Sequence, residues 1–427
     1  MKKKQKEKQD PGHVLLEEIN QPGSQDQSKK RSIWQVIAVP LLAILTGLVI
    51  GAILIAATST AVYAAFGESF FKGIGTALNE VFEAYRAMFT GSIGDPVRII
   101  NALSSGDAKD IRSAVNPFLE SLVQSTPYIF AGLAVALGFR AGLFNIGVEG
   151  QLFIGAACAT YVGYAITGLP AIIHMPLAFI AGALGGAIWG FIPGFLKATT
   201  GGHEVINTIM MNYIAFRLTE WLLSGPMTRP GSGGMPLSPM IQKSAQIPQF
   251  FQSPIRFHLG FVIALAFAWV VWWLLFKTKW GLNLRTVGTN PRAAKYAGLS
   301  VVNNTMVAMA LSGGLAGLAG AVQILAINRS MALGLSSGYG FDSLALALIG
   351  GNHPLGVVLA SLLFGTLRNG ATRMMVVARV PIDIVDVIQA IILMLVAAPA
   401  IIRTIYRLRK PKQEETTIFA SGWGGGQ

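Results

Sequence analysis

The sequence predicts an all-α integral membrane protein with about ten transmembrane helices. Hydrophobic residues make up 52% of the 427 residues, charged residues make up only 12%, and the apolar residues gather in long runs. Average soluble domains are about a quarter charged, so a soluble globular enzyme is excluded, as are a disordered chain and a secreted disulfide scaffold. A run of roughly 20 apolar residues crosses a bilayer as a helix. No run alternates as a membrane barrel strand does, which leaves a helical bundle.

The basic residues predict the orientation in the membrane. The formal net charge of +13 is compatible with binding to nucleic acid or to a membrane surface. More than half of the Lys and Arg residues lie in 1–34, in 277–295 and in the tail from Arg403. Because cytoplasmic loops are enriched in Lys and Arg, both termini and the 277–295 loop are expected in the cytoplasm. Loops 67–117 and 224–257 are then external. Binding to nucleic acid is not favoured, because the basic residues flank the membrane spans.

The same reasoning divides the chain into three parts. Residues 1–34 are expected to be a disordered basic tail, 35–403 a transmembrane domain and 404–427 a second cytoplasmic tail. Two termini on one side require an even number of crossings. The short apolar run at 341–351 is therefore counted as a short or broken helix.

Two interruptions in the apolar pattern predict an inverted internal repeat. GLFNIGVEGQLFIGA at 142–156 and GYGFDSLALALIGG at 338–351 each break a run with glycines and polar residues. Five spans separate them, so the two halves have opposite orientations. Inverted halves with broken helices near the midplane are typical of transporters, and the breaks indicate the substrate path.

Polar residues inside the predicted spans are the candidates for that path. Such side chains are costly at membrane depth, so they either face a hydrophilic passage or satisfy backbone groups freed at a helix break, and the two roles are compatible. The candidates are Asn145, Glu149, Gln151, Asn212 and Asp342.

Other acidic residues lie close to predicted helix ends. Glu204 is interpreted as either a helix-start residue that accepts hydrogen bonds or a gating residue. Asp383 and Asp386 are interpreted as acids at a helix N-terminus.

Two runs of glycines at helical spacing predict close helix packing, because small residues let backbones approach in lipid. The runs are Gly182, Gly186, Gly190 and Gly194, and Gly313, Gly314, Gly317 and Gly320. No Walker motif, no nucleophile–base pair and no spacing of metal ligands occurs in the sequence. We therefore expect a protein without a catalytic site, a metal site or a cofactor of its own.

The basic loop contains the signals of a short helix. Asn290 is a favourable residue for the N-cap position, and Pro291 is favourable in the first turn. Gly298 is favourable just after the C-terminal end of the helix. A short helix held in a cytoplasmic loop either forms a rigid docking surface for another protein or lies on anionic lipid headgroups.

Several segments together resemble one family of permeases. They match, in order, the nucleoside and simple-sugar subgroup of the bacterial ABC-importer permeases for branched-chain amino acids and ribose. The matching segments are TPYIFAGLAVALGFRAGLFNIGVEGQLFIGA (126–156), LKATTGGHEVINTIMMNYIA (196–215), TKWGLNLRTVGTNPRAAKYAGLSV (278–301), LSGGLAGLAGAVQ (311–323) and GYGFDSLALALIGGNHPLGV (338–357).

The resemblance implies a type II-like importer permease in a bacterial plasma membrane. Its cargo would be nucleosides or a related simple sugar, brought by an extracellular binding lipoprotein. The chain would pair with a second permease, and a separate ABC ATPase would use the ATP. An ion-coupled secondary transporter is the alternative.

The resemblance also identifies 278–300 as the coupling loop on which the ATPase docks. The residues that the resemblance assigns to this contact are Gly288, Asn290, Pro291, Ala293, Ala294, Tyr296 and Gly298.

Overall fold

The chain folds into a helical bundle. A computed structural model describes residues 33–407 except 337, so the predicted tails at 1–34 and 404–427 lie almost wholly outside the described residues. Pairing of extended backbone in this part of the chain is limited to two isolated bridges. The helices are α1 Ile33–Thr58, α2 Thr60–Glu68, α3 Phe70–Ser92, α4 Pro96–Ser105, α5 Ala108–Arg140, α6 Val148–Ala165, α7 Ala171–Thr200, α8 Glu204–Ser224, α9 Leu259–Lys277, α10 Lys279–Thr289, α11 Pro291–Tyr296, α12 Val301–Val322, α13 Tyr339–Ile349, α14 Pro354–Ala378, α15 Ile382–Ala397 and α16 Pro399–Ile405.

The all-helical membrane fold is confirmed, but the count of ten crossings is not. Six helices in the described residues are long and apolar enough to cross a membrane, namely α1, α5, α7, α9, α12 and α14. A seventh counts if Asp383–Val396 and Pro399–Ile405, bent by 85°, form one broken span. Helices also occupy the other predicted runs. Of these, α13 has 11 residues and a length of about 16 Å, roughly half of a bilayer core.

Two helices lie at the centre of the bundle. Within the apolar stretch that could cross the membrane, 83% of the residues of α5 and 78% of those of α12 are buried. In α1 the buried share is only 22%. The helix α12 packs along α7, α6 and α5, and α14 packs along α5 and α3. A second hydrophobic cluster joins α1, α3, α14 and α15.

The glycine runs lie where α7 and α12 meet. A Cβ atom added to Gly186 would stand 2.2 Å from the carbonyl oxygen of Gly313, and one added to Gly317 would stand 2.2 Å from that of Gly182. Two backbones touch here with no side chain between them, which is the packing that the glycine spacing predicts.

The stretch expected as the first external loop is mostly helical. It is occupied by α3, α4 and the start of α5. The amide of Asn369 on α14 donates to the carbonyl oxygens of Gly91 and Pro117 at 3.0 and 2.8 Å. The segment is thus part of the bundle, because its amphipathic helices have an apolar face that needs a partner.

The stretch 224–257 is largely irregular, as expected for a loop. Its backbone forms hydrogen bonds with the segment that follows α12. The amide of Ser238 donates to the Met331 carbonyl at 2.9 Å, and the amide of Ile247 donates to the Leu325 carbonyl at 2.9 Å.

Candidate functional site

The starts of α6 and α13, the two helices at the predicted breaks, meet inside the bundle. The carboxylate of Glu149, which is 3% exposed, accepts a hydrogen bond of 2.6 Å from the backbone amide of Gly340. A carboxylate at a helix N-terminus is favourable because unpaired amides and the helix dipole point toward it. A Cβ on Gly340 would lie 2.4 Å from the Glu149 nitrogen, so only glycine permits this approach. Glu149 therefore joins the two breaks.

Asn145 and Gln151 form a buried amide network. The Asn145 Nδ2 atom donates to Gln151 Oε1 and to Ser312 Oγ, both at 2.9 Å. Its Oδ1 atom accepts from the amide of Gly147 at 3.0 Å, and Ser312 Oγ donates to the Ala134 carbonyl at 2.7 Å. The network fastens the turn after α5 to α6 and α12. This geometry matches the expected satisfaction of backbone groups at a break, whereas a role in lining a passage stays a prediction.

The side chain of Asn212 on α8 also forms hydrogen bonds with backbone groups at the break. Its Nδ2 atom donates to the Ile146 carbonyl at 3.0 Å, and its Oδ1 atom accepts from the Gly150 amide at 2.8 Å. Both bonds hold backbone at the start of α6. Its role in lining a passage also stays a prediction.

Asp342 has a different environment. Its carboxylate accepts a hydrogen bond of 2.9 Å from the hydroxyl of Tyr128, and it borders a cavity of about 310 Å³ between α13, α14 and α15 that Arg368, Asp386 and Gln389 also line. The sequence reasoning missed Arg368 and Gln389. A charge within an apolar run is itself a signal of function, and Arg368 carries that signal. Asp386, interpreted as a helix-start acid, instead faces Arg368 with 3.5 Å between Oδ1 and Nη1.

Glu204 forms an ion pair across the turn between α7 and α8. Its Oε2 atom lies 2.5 Å from Lys197 Nζ, and the Glu204 side chain is 16% exposed. The pair closes the turn at Gly201, whose backbone is left-handed with φ of +71°. Glu204 thus lies in the first turn of α8, as the helix-start interpretation expects, and a gating role stays a prediction.

The coupling loop folds as its local signals predict. Asn290 caps α11 by accepting from the Ala293 amide at 3.0 Å, and Pro291 occupies the first turn. Gly298 is left-handed with φ of +80°. The Leu299 amide returns to the Ala294 carbonyl at 3.0 Å, which ends the helix.

Of the residues assigned to the ATPase contact, Ala294 is buried and Gly288 is half-buried. Ala294 is fully buried, whereas Tyr296 is 95% exposed. A Cβ on Gly288 would lie 2.6 Å from the Arg140 carbonyl oxygen, because α10 rests on the turn that follows α5. The interpretation of Ala294 as a contact residue therefore conflicts with its burial, whereas that of Gly288, which is half-buried, stays a prediction. The exposed members of the assigned set are Asn290, Pro291, Ala293, Tyr296 and Gly298.

Arg140 connects the coupling loop to α13, and the sequence reasoning missed it. Its Nε atom donates to the Asn352 carbonyl at 2.9 Å and its Nη2 atom donates to the Gly351 carbonyl at 3.2 Å. Its guanidinium stacks over Phe276 at 5.5 Å, and that of Arg285 on α10 stacks over the same ring at 5.1 Å. A displacement of α10 would therefore reach the end of α13 through direct contacts.

The substitution Asn145→Ala is expected to lower the free energy of unfolding by about 1–3 kcal/mol, because the Gly147 amide and the Gln151 side chain would lose buried partners. Thermal unfolding of the purified permease in detergent measures this loss. Asn303→Ala is the matched control, since it removes an amide that is exposed on α12. Equal melting temperatures for the two variants would contradict the structural role of Asn145.

These features define a class of protein: a polytopic helical membrane protein with two helices that start inside the bundle and a capped, exposed helix on one loop. Residues 118–397 match the family model described as the branched-chain amino acid transport system permease component. The match covers more than half of the chain, and the chain belongs to this family.

Curated relatives resemble the chain over most of their lengths. The guanosine ABC transporter permease protein NupP of Bacillus subtilis (strain 168) is 46% identical over 69% of this chain and 84% of its own length. The glucose ABC transporter permease protein TsgB13 of Haloferax volcanii is 35% identical over 64% of this chain and 74% of its own. The nucleoside ABC transporter permease protein NupB of Lactococcus lactis is 30% identical over 86% of this chain and 93% of its own. No solved structure matches the chain.

Proposed function

We propose that the chain is the membrane-spanning permease subunit of an ATP-driven importer of nucleosides or related simple sugars. The observation that carries this proposal is the similarity to guanosine, nucleoside and glucose permeases, which extends over 64% to 86% of the chain. An ion-coupled secondary transporter is not favoured, because the similar proteins are named as ABC transporter permeases.

A separate ABC ATPase would dock on α11. The surface exposes Asn290, Pro291, Ala293, Tyr296 and Gly298, and the buried Ala294 anchors the helix beneath them. The chain would supply no cofactor site, and ATP would be bound and hydrolysed by the partner.

The remaining partners follow from the transport role. A second permease would complete the translocation path, and an extracellular lipoprotein would deliver the solute. The chain would lie in a bacterial plasma membrane with both termini in the cytoplasm, which is supported by the basic residues at the two ends and in the 277–295 loop.

Uptake measurements test the proposal. A strain lacking the gene is expected to lose uptake of radiolabelled nucleoside or sugar, and a plasmid copy is expected to restore it. Unlabelled purine and pyrimidine nucleosides, ribose and glucose compete in parallel assays to identify the cargo class. Uptake that survives ATP depletion but is abolished by a protonophore would instead support the ion-coupled alternative.

A further inference from the structure

The cavity beside Asp342 lies away from the coupling loop. Arg140 donates to the carbonyl oxygen of Gly351, just after the end of α13 and near that loop. Asp342 lies seven residues before the last residue of α13, Ile349, about 10 Å away along the helix axis. Arg368 lies 14 residues after the start of α14 at Pro354, about 21 Å along the axis of α14. The cavity is therefore separated from the coupling loop by about two turns of α13 and about four turns of α14.

The lining of this cavity has free hydrogen-bonding capacity. The Nε2 atom of Gln389 is buried and has no partner among the described residues, although a buried unpaired donor costs about 1–3 kcal/mol. The long Arg368–Asp386 contact of 3.5 Å leaves most of the guanidinium donors available, because arginine carries five. The carboxylates of Asp342 and Asp386 supply acceptors. Polar groups of both kinds therefore converge from three helices on one space.

The size and charge of the cavity restrict its occupant. Its volume of about 310 Å³ is at the lower end of the ligand-site range of roughly 300–1,000 Å³. Two carboxylates against one guanidinium disfavour an anion, and Phe364 contributes an apolar ring to the wall. A compact neutral solute with several hydroxyl groups and one apolar face suits these features.

We propose that this cavity binds the sugar moiety of the transported solute. The carboxylates of Asp342 and Asp386 accept hydrogen bonds from neighbouring hydroxyls, Arg368 and Gln389 donate to ring or hydroxyl oxygens, and Phe364 packs on the apolar face. This inference rests on the proposed function, since it assigns part of the translocation path to that solute.

Two substitutions in the whole transporter test the site. Asp386→Asn and Gln389→Leu are expected to raise the apparent KM for nucleoside or sugar uptake about tenfold, which corresponds to the loss of one hydrogen bond to a charged or buried group. Asp383→Asn is the matched control, because it neutralises an exposed acid one turn earlier on α15. Permease abundance and ATPase co-purification are measured for each variant, and Gln389→Asn replaces Gln389→Leu if the latter does not accumulate.

Solutes lacking single hydroxyls provide a second readout that a merely structural role would not change. The wild type is expected to discriminate against 2′-deoxy and 3′-deoxy analogues in competition assays, and the Asp386→Asn variant is expected to lose that discrimination. Wild-type KM and wild-type discrimination in both variants would overturn the inference while leaving the proposed function intact. A wild-type strain that imports neither nucleosides nor sugars would overturn the proposed function and the inference with it.

Discussion

Tyr296→Glu is expected to abolish uptake while the permease stays folded. The side chain is 95% exposed, and the substitution leaves the N-cap Asn290 and the terminal Gly298 of the helix unchanged. Its replacement therefore removes no contact on which the bundle depends. Loss of an aromatic anchor from an interface costs about 2–4 kcal/mol, roughly 30- to 1,000-fold in Kd. A carboxylate buried in the same interface adds a desolvation cost. Co-purification of the ATPase with tagged permease and uptake of labelled solute measure the effect.

Ala294→Asp is the informative comparison, two residues away on the same helix. Ala294 is fully buried, so the new carboxylate would lack both water and a partner. This variant is expected to lose abundance and thermal stability, and its loss of uptake would follow from misfolding. Tyr296→Glu permease that retains wild-type amounts of bound ATPase would contradict the docking surface proposed on α11.

Gly317→Ala is expected to destabilise the bundle by about 1–3 kcal/mol, because overpacking forces backbones apart. The added Cβ would stand 2.2 Å from the carbonyl oxygen of Gly182. A rigid backbone atom cannot move aside as a side chain can, so α7 and α12 would have to separate along their contact. Thermal unfolding in detergent, followed by intrinsic fluorescence, measures the change.

Gly314→Ala on the same helix is the control. A Cβ there lies at an ordinary 3.5 Å from the Ala183 carbonyl oxygen. Alanine is a better helix former than glycine by about 1 kcal/mol, so this variant is expected to be neutral or slightly more stable. A similar loss in both variants would show that general glycine replacement, rather than the backbone contact, determines the result.

Local signals account for the parts of the molecule that could be predicted. The capped helix at Pro291–Tyr296 was predictable because a cap, a first-turn proline and a terminal glycine act within a few residues. The apolar runs predicted where helices lie because hydropathy is a property of each run. The count of ten crossings is not confirmed, since α13 is too short to cross alone. The helix α3 lies in a stretch that was expected to be a loop.

The candidate site was only partly predictable. Asn145, Glu149, Gln151 and Asn212 were found because polar residues are conspicuous in apolar runs, yet the pattern could not tell which of them bond to backbone. Arg368 and Gln389 were missed because their significance depends on Asp342, which lies on a different helix.

The sequence by itself determined the membrane class, the helical fold, the resemblance to one permease family and the bounds of the short helix Pro291–Tyr296. Each depends on composition or on contacts between near neighbours in the chain. Only the tertiary structure decided that Ala294 faces inward, that Glu149 joins the starts of α6 and α13, and that Asp342, Arg368 and Asp386 share one cavity. These facts depend on contacts between distant segments, which arise only when the helices pack together.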